Sequence, residues 1–526
     1  MTIAGITATF ADGGLGAARS LARPPAIVGC SSGGTVDTPA LIGTVEDAIS
    51  TFGYGKLVEL IALYLALAGG PVVAVKAAST TAGSCSAVTP GSSNTSTAVM
   101  TVTTGTARDD LSVKFKVTRA GANLAALTAA VRISYDGGLT YAEEVAVPAD
   151  GAFTLGNTGI VADFTTDGTF VVDDTFSFTA TAPIWSTGAL GTALDSLEIT
   201  SYDHEFVHVA EHVLGSSIST LNDSISSLEA SGIYRWHLSS ARGQNVAGSE
   251  SVSTWTGILV GASPGFSAYT SRHGVVCAGE DIVPSPITGV QHRRQVAWMI
   301  GPRLALVRAV SGGAGLAEHP GRVKSGPVAG GKDLSLYHDL RTLTTLDSNR
   351  FAGLQSLSGR AGYFATARSS AADGSDYTSV MNIRVMKEAA RVATLAAGEY
   401  LNENVRTITG GKIDPRDADA IDAYVTRCMQ RDMVDTGYAS TASASVTNTT
   451  HYLLRNSTSY GIDRIAAFWS GAGLDVTGSG TGAGGAIWMS VPAVAQVPVD
   501  VQACVTVAAP AARVAADAAL PPELSR

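Results

Sequence analysis

Apolar and polar positions change their spacing along the chain, and each change predicts a different element. Residues 24–78 begin with an apolar run, Pro24–Cys30, and continue through two helical patterns, Val45–Phe52 and Lys56–Ala68. A Gly-Gly-Pro break at 69–71 precedes the apolar strand pattern Val72–Lys76. This stretch therefore predicts the order strand, helix, helix, strand.

Residues 79–183 are rich in Ser, Thr, Gly and Asp, and their apolar positions alternate with polar ones. Period-2 runs occur at Ala98–Thr103, Leu111–Val117 and Val131–Tyr135, and Asp136-Gly137-Gly138 is a hairpin signal. Short strands separated by turns predict a β-sandwich. Because the α/β pattern resumes at Ala193, we expect this sandwich to be inserted into a domain rather than appended to one.

The remainder of the chain returns to a mixed α/β pattern. Residues 218–228 predict a helix, Ile233–Leu238 and Arg272–Ala278 predict strands, and Arg293–Val310 predicts a helix that Gly301-Pro302 should kink or split. The longest helix is predicted at Met381–Val405, and Asp414-Pro415 begins another with an N-cap and a first-turn proline. The predicted strands at the end of the chain are Ala444–Leu454, Ala486–Val491 and Val497–Val507.

Composition narrows the classes of function. The 526 residues exceed what one core accommodates, and only 15% of them are charged, against about 25% in an average soluble domain. Mean hydropathy is +0.21, yet no apolar run reaches the ~20 residues that span a bilayer, which predicts burial between subunits rather than in a membrane. A net charge of −10, with Arg293-Arg294 as the densest basic spot, argues against a nucleic-acid partner. The N-terminus lacks a basic segment followed by an apolar one, so we expect folding in the bacterial cytoplasm.

One motif predicts chemistry that competes with a structural role. His204-Glu205-Phe206-Val207-His208 matches H-E-x-x-H, whose histidines bind zinc from one helix face, and Glu229 is a possible third ligand. The alternative is a sheet strand with solvent-facing histidines, because Val207 and Val209 suit a strand. A zinc-dependent metallopeptidase thus remains one hypothesis.

Three further motifs lack a required group. Gly261–Gly265 matches the nucleophile elbow G-x-S-x-G, but Pro264 has no N–H for an oxyanion hole. Residues 326–333 approach a P-loop, but Asp333 replaces the hydroxyl that binds Mg²⁺. Residues 14–19 echo a dinucleotide loop without a preceding strand. The five cysteines, at 30, 85, 277, 428 and 504, are too scattered for a zinc ribbon or a disulfide-dense scaffold.

The order of elements in residues 24–78 resembles the N-terminal part of contractile tail sheath proteins of myophages, R-type bacteriocins and related injection machines. The resemblance extends over 190–505, where Gly359–Tyr363 precedes a long helix with Arg384 near its start and terminal β-segments follow. It implies no active site, no cofactor and no enzyme activity. It also implies a homo-oligomeric tube, hexameric within the family, around a tail tube protein, with baseplate and tail terminator proteins as further partners and the virion as its location.

The resemblance also assigns roles to the two ends of the chain. Sheath arms add strands to sheets of neighbouring subunits, and the candidate positions here are Ile3, Ile6, Phe10, Val497, Val499, Val501 and Val505. Cys30 and Cys504 flank these arms, so they are candidates for an inter-subunit disulfide, with inert buried thiols as the alternative.

We therefore expect an α+β (mixed α/β) multidomain protein with a sheath-like core. The expected divisions are an arm at 1–23, an α/β sheath domain at 24–78 and 184–325, an inserted β-sandwich at 79–183, a C-terminal α/β core at 326–493 and a strand arm with tail at 494–526. A sheath subunit is the predicted function. The alternatives are the zinc metallopeptidase and a self-assembling surface-layer or shell protein, which the low charge also fits.

Overall fold

The computed structural model describes the main body of the chain and several strands near its end. The described residues are 23–164, 168–245, 250–308, 322–323, 343–356, 363–365, 368–399, 407–408, 412–434, 441–447, 474–477, 486–491 and 500–506. The first elements are β1 (Ala26–Gly29), β2 (Ala40–Ile42), α1 (Val45–Phe52), α2 (Lys56–Ala68) and β3 (Val72–Lys76). Thr44 caps α1 by accepting a hydrogen bond from the Asp47 amide, and Gly69, at φ 69°, ends α2.

The next part of the chain, from Ser79 to Trp185, is built from short strands. They are β4 (Ser79–Thr81), β5 (Ser84–Cys85), β6 (Thr89–Pro90), β7 (Met100–Gly105), β8 (Leu111–Arg119), β9 (Ala130–Ser134), β10 (Val145–Ala146), β11 (Ala152–Thr154), β12 (Ile160–Phe164), β13 (Thr175–Thr181) and β14 (Ile184–Trp185).

Strands and helices alternate after this segment. The elements are α3 (Thr187–Glu198), β15 (Phe206–Val213), α4 (Ile218–Ala230), β16 (Trp236–Ala241), α5 (Val252–Val260), β17 (Gly274–Cys277), β18 (Glu280–Pro284), β19 (Gln291–Gln295), α6 (Ala297–Arg308), β20 (Arg322–Val323), α7 (Thr344–Ser348), β21 (Leu354–Ser356), β22 (Tyr363–Ala365), α8 (Val380–Gly398), β23 (Thr407–Ile408), β24 (Lys412–Ile413) and α9 (Pro415–Met429). The last strands are β25 (Thr441–Thr447), β26 (Leu474–Thr477), β27 (Ala486–Val491) and β28 (Asp500–Thr506).

A mostly parallel sheet forms the centre of the described structure. Its strand order is β17-β16-β15-β1-β3-β2, and β2 alone runs antiparallel to its neighbour. Numbered along the chain, the five parallel strands lie in the order 2-1-3-4-5, which is a doubly wound arrangement. The chain reverses its winding between β1 and β15. In such sheets ligands bind outside the carboxyl ends of the strands at this reversal.

Helices cover both faces of the central sheet, because its buried strands are apolar on both sides. One core joins Ile27 and Ala74 to α2, α6, α8 and α9, while the other joins Val28 and Val75 to α3, α4 and α5. Helix α8 therefore belongs to the first core, although it lies about 350 residues after β1 in the sequence.

The β-rich insertion, defined here as residues 79–185, has its own core. The sheets β10-β9-β8-β13-β5 and β11-β12-β7 share a cluster of aromatic rings that includes Phe115, Phe153 and Phe164. Its two ends meet, since β4 pairs with β14 and places Thr81 opposite Ile184. The insertion thus leaves the central sheet after β3 and returns to it beside its point of departure.

The mixed α+β fold class predicted from the sequence is confirmed. The predicted N-cap role of Asp414 is also confirmed, because its side chain accepts a hydrogen bond from the Arg416 amide. The prediction for Arg293–Val310 was wrong about where the helix begins and about a split at Gly301-Pro302, while a kink there stays a prediction. Gln291–Gln295 is a strand, and the helix after it continues through Pro302. The long helix α8 ends at Gly398 rather than at residue 405. The proposed division into domains stays a prediction.

Candidate functional site

The carboxyl edge of the central sheet is where this fold would place a ligand, and the chain fills it with its own side chains. Glu211, near the end of β15, is 1% exposed. Its Oε1 accepts a hydrogen bond from the Cys30 amide at 2.7 Å, and its Oε2 accepts one from the Trp185 indole at 2.8 Å. Burial raises the pKa of Glu211 above its usual range. The crevice between β1 and β15 is therefore closed by a carboxyl group in a structural contact.

Ion pairs between the insertion and the α/β body lie over the same edge; we call them the seam. Asp109 accepts two hydrogen bonds from the Arg294 guanidinium, at 2.7 and 2.5 Å, and Asp110 pairs with Lys56 at the start of α2. Arg294 also lies 4.6 Å from the centre of the Trp298 ring. Burial opposes ionisation of Asp109, but Arg294 holds the pKa of Asp109 at about 2, so the pair is charged at neutral pH.

A cavity of about 110 Å³ opens beside the seam, between the insertion and the body. Its lining includes Tyr54, Glu59, Arg108 and His292. Glu59 accepts a hydrogen bond from the Ser285 hydroxyl at 3.0 Å, and burial lowers the pKa of His292 to about 4. Across the cavity, the Arg108 guanidinium of the insertion lies 5.8 Å from the centre of the Tyr54 ring of the body, and the geometry assigns these groups no substrate.

Charged residues of α8 lie against the opposite, amino edge of the sheet. Glu205 accepts a hydrogen bond from Arg384 at 3.0 Å, and Glu388 accepts one from Arg23 at 2.9 Å. Lys387 pairs with Glu229 at the end of α4. The sequence offered only a weak signal for this contact, three charges at i, i+3 and i+4 in an Ala-rich helix. The partners Glu205, Glu229 and Arg23 each lie more than 150 residues away, although Arg391 of the same helix also pairs with Glu388.

The structure separates the residues of the H-E-x-x-H motif from the geometry of a zinc site. His208 lies on β15, not on a helix, and its Nδ1 is 2.8 Å from the Tyr64 hydroxyl. Positions i and i+4 lie within about 6 Å on a helix, but extended backbone separates them by about 13 Å. Glu229 is held by Lys387 and Arg272. In the residues that the structure describes, no group of three or more His, Cys, Asp or Glu could hold a metal ion.

The expectation of solvent-facing histidines was also wrong. His204 is 2% exposed and His208 is fully buried, because helices cover both faces of the sheet. Burial lowers the pKa of each to about 3, so both imidazoles are neutral at pH 7.

The remaining sequence motifs lie after a helix, in internal ion pairs, or outside the described residues. Gly261–Gly265 follows helix α5 rather than a strand, so the strand-to-helix turn of a nucleophile elbow is not formed. Residues 14–19 lie outside the described part of the chain, as do residues 326–333. The Arg293-Arg294 pair is engaged internally with Glu280 and Asp109. Along the described ranges, no helix has the length and apolar character needed to cross a bilayer.

The predicted arm positions are only partly described. Ile3, Ile6, Phe10, Val497 and Val499 lie outside the described residues. Val501 and Val505 belong to β28, which pairs with β25 and β27 of the same chain. Cys504 lies on the same strand, and the Cys30 thiol is 2% exposed beside Glu211. Strand exchange between subunits and the Cys30–Cys504 disulfide stay predictions.

A family model described as DUF2586, N-terminal domain, matches residues 3–368, which is more than half of the chain. The chain belongs to the DUF2586 family. The match runs from the predicted N-terminal arm through the insertion and the central sheet to β22 of this DUF2586 chain. None of the curated proteins matches it.

Solved structures similar to this DUF2586 protein include several sheath proteins. A sheath tail protein from Desulfitobacterium hafniense is 12% identical, with 96% of this chain and 100% of that one covered and a TM-score of 0.42. A sheath tail protein from Listeria innocua is 11% identical, with 92% and 95% covered and a TM-score of 0.40. The contracted helical sheath of the anti-feeding prophage is 11% identical, with 100% and 98% covered and a TM-score of 0.43.

Proposed function

We propose that this protein is the structural subunit of a contractile tail sheath, which polymerises as a helical tube around an inner tail tube and contracts to drive that tube through the host envelope. One observation carries the proposal. A single α/β sheet is interrupted after β3 by a β-rich insertion, and its amino edge is closed by a long helix with Arg384 near its start. The sequence resemblance implies this arrangement for sheath subunits.

The proposal assigns the protein a mechanical role and no catalytic one. The crevice at the winding reversal is filled by Glu211 and Trp185, and the insertion covers it through Asp109 and Asp110. The H-E-x-x-H residues lie partly on a sheet strand and carry structural hydrogen bonds. These contacts favour the sheath over the zinc metallopeptidase.

The finer assignments rest on the same resemblance. Identical subunits joined by heterologous contacts make open helical or stacked-ring tubes, which we infer to be hexameric. The tail tube, baseplate and tail terminator proteins are the proposed partners, and the virion or a related contractile particle, assembled in the bacterial cytoplasm, is the proposed location. Contraction repacks subunits into a tighter lattice and needs no nucleotide.

Negative-stain electron microscopy of the purified full-length protein tests the proposal. We expect hollow striated tubes from the unmodified chain and none after deletion of residues 1–20, while that shortened monomer retains its circular dichroism. Truncation after Ala495 should also abolish tubes, but it removes β28 from its pairing with β25 and β27, so part of the circular dichroism is expected to be lost with it. Monomers alone, together with one tightly bound zinc ion per chain, would reverse the ranking.

The metal analysis belongs on the unmodified protein. Glu205→Gln, the usual test of an H-E-x-x-H motif, also removes the buried partner of Arg384 and would weaken the fold. Loss of activity or assembly in that variant would therefore not identify zinc chemistry.

Non-reducing gels of assembled particles test the Cys30–Cys504 bridge. A dimer band that disappears in Cys504→Ser would support it. A monomer band alone would show that Cys30 remains a buried thiol beside Glu211, where the structure places it.

A further inference from the structure

The charged residues of α8 form a row that contacts three different segments of the sheet's amino edge. Arg384, Lys387 and Glu388 are 4%, 7% and 6% exposed. Spacings of three and four residues place them on one side of the helix. Their partners are Glu205 just before β15, Glu229 at the end of α4 and Arg23 just before β1.

Each pair has further hydrogen bonds around it. Arg23 donates to the His204 carbonyl at 2.6 Å, and Arg384 donates to the Leu304 carbonyl at 3.0 Å. Lys387 lies 3.0 Å from the His273 ring, just before β17. The row therefore ties α8 to segments beside β1, β15, β16 and β17.

The order of signs along the row distinguishes one register from its neighbours. Helix residues face the sheet edge in the order plus, plus, minus, and their partners are minus, minus, plus. If α8 moved by one turn in one direction, Glu388 would face Glu205. In the other direction, Arg384 would face Arg23. Either movement places like charges together in a buried site, where separation from water makes repulsion costly.

Packing distinguishes these registers mainly in the first half of α8, where Ile383 and Met386 are buried. In the second half the buried apolar positions are mostly small: Ala389, Ala390, Ala393 and Ala396, with Val392. Alanines four residues apart present similar small surfaces after a shift of one turn. Polar groups in otherwise apolar contacts are known to fix the register of packed helices.

We infer that the ion pairs of Arg384, Lys387 and Glu388 fix α8 in one register against the amino edge of the sheet, so that the helix and the sheet move as one body. This register lock stands on the described residues and does not depend on the sheath proposal. In a subunit under load, it excludes one-turn slippage of α8 as a route of conformational change.

A disulfide trap reads the register directly. A Cβ atom added at Gly232 would lie 3.8 Å from Thr394 Cγ2, a position that a cysteine sulfur at 394 can occupy, so cysteines at 232 and 394 are close enough to react. Gly232 has φ 79°, so a cysteine there costs about 1–2 kcal/mol, and this cost is the same in every trap. A one-turn shift moves residue 394 by about 5.4 Å and brings residue 390 or 398 to its place. Gly232→Cys is therefore combined with Thr394→Cys to report the observed register, and with Ala390→Cys or Gly398→Cys to report the shifted ones. Peptide mapping by mass spectrometry identifies the linked pair.

The traps are compared in the unmodified row and in a neutralised row. Neutralisation replaces Arg384 and Lys387 by Met and Glu388 by Gln, together with Glu205→Gln, Glu229→Gln and Arg23→Met. Both members of each of the three pairs are removed, and the charges that lose a carboxylate partner, Arg272 and Arg391, are partly exposed, so the protein is expected to fold. We expect the native trap alone to close in the charged protein, and the native and shifted traps to close in the neutralised one. Closure of the native trap alone in both backgrounds would overturn the register lock in favour of packing.

A charge-reversal set keeps the test informative if the neutralised protein does not fold. Arg23→Glu and Glu388→Arg each place like charges together, and each should increase the unfolding equilibrium constant by about a hundredfold or more. The double variant restores opposite charges between positions 23 and 388 and should recover part of that loss; the remainder is expected because Asp203 and Arg391, the other partners of these residues, then face like charges. Single variants that unfold like the unmodified protein, or a double variant with the summed loss of both singles, would contradict the lock. Both sets use the monomer, so failure of tube formation leaves their outcome unaffected.

Discussion

The seam leads to a prediction about the insertion as a whole: its removal costs the α/β body less stability than the mutation of one of its aspartates. Asp109→Ala leaves the Arg294 guanidinium, which is 3% exposed, without the two hydrogen bonds that Asp109 accepts. An unpaired charge buried in this way costs about 3–5 kcal/mol.

Excision has the opposite effect on the same arginine. Residues 82–183 are replaced by Asn-Gly, a two-residue turn that suits strands already paired with Thr81 opposite Ile184. Water then reaches Arg294 and Lys56, and exposed ion pairs contribute only about 0–1 kcal/mol. We expect the body to lose less than about 2 kcal/mol.

Urea unfolding followed by far-ultraviolet circular dichroism measures both variants. Glu143→Ala, at an exposed position of the same insertion, is the matched control and should change stability by less than about 0.5 kcal/mol. Replacement of both partners, Asp109→Leu with Arg294→Met, should be close to neutral. An excised chain that is less stable than Asp109→Ala, or that does not fold, would refute the reasoning and make the insertion part of the folding core.

Further predictions concern helix contacts and pH. Gly301→Ala should destabilise the fold by about 1–3 kcal/mol, because the added Cβ would lie 2.1 Å from the Tyr64 hydroxyl; thermal melting measures this, and an unchanged melt would contradict it. Burial raises the pKa of Asp281 to about 7, so stability falls as pH rises from about 4 to 7, and Asp281→Asn should remove this slope of about 1.4 kcal/mol per pH unit. His208 and His237 act in the opposite direction, because burial lowers the pKa of each to about 3 and keeps both imidazoles neutral. Their contribution to stability is fully present above about pH 6.5 and is lost as the pH falls towards 3. Urea unfolding at several pH values should show this loss in acid.

Local sequence patterns predicted two kinds of element: strands that are buried on both faces, and helix starts that adjacent residues specify. Val72–Lys76 is an apolar run because both faces of a central parallel strand are covered. The start of α9 is specified by two adjacent residues, the N-cap Asp414 and the first-turn Pro415. The insertion at 79–183 was predicted from composition, which differs from that of the sequence on either side of it, and its bounds stay a prediction.

The polar strand β19 could not be predicted in this way. Its sequence, Gln-His-Arg-Arg-Gln, lacks strand character, and its arginines are paired with Asp109 and Glu280. Asp109 lies 185 residues away, so no local pattern contains it. The ion pairs of α8 were missed for the same reason: the helix was predicted from its apolar face, while Arg23 and Glu205 lie just before distant strands and Glu229 lies at the end of α4.

The buried ion pairs change how the low overall charge of the chain is interpreted. Lys56, Arg294, Arg384 and Lys387 are cations of a chain that is only 15% charged, and each is buried in an ion pair. Such charges form ion pairs inside the subunit and are not available at its surface. Contacts between copies of such a surface depend on shape, apolar area and backbone hydrogen bonds rather than on long-range electrostatic attraction. If the proposed sheath function holds, contacts of this kind would have to form in both the extended and the contracted lattice, because the same subunit surface takes part in each.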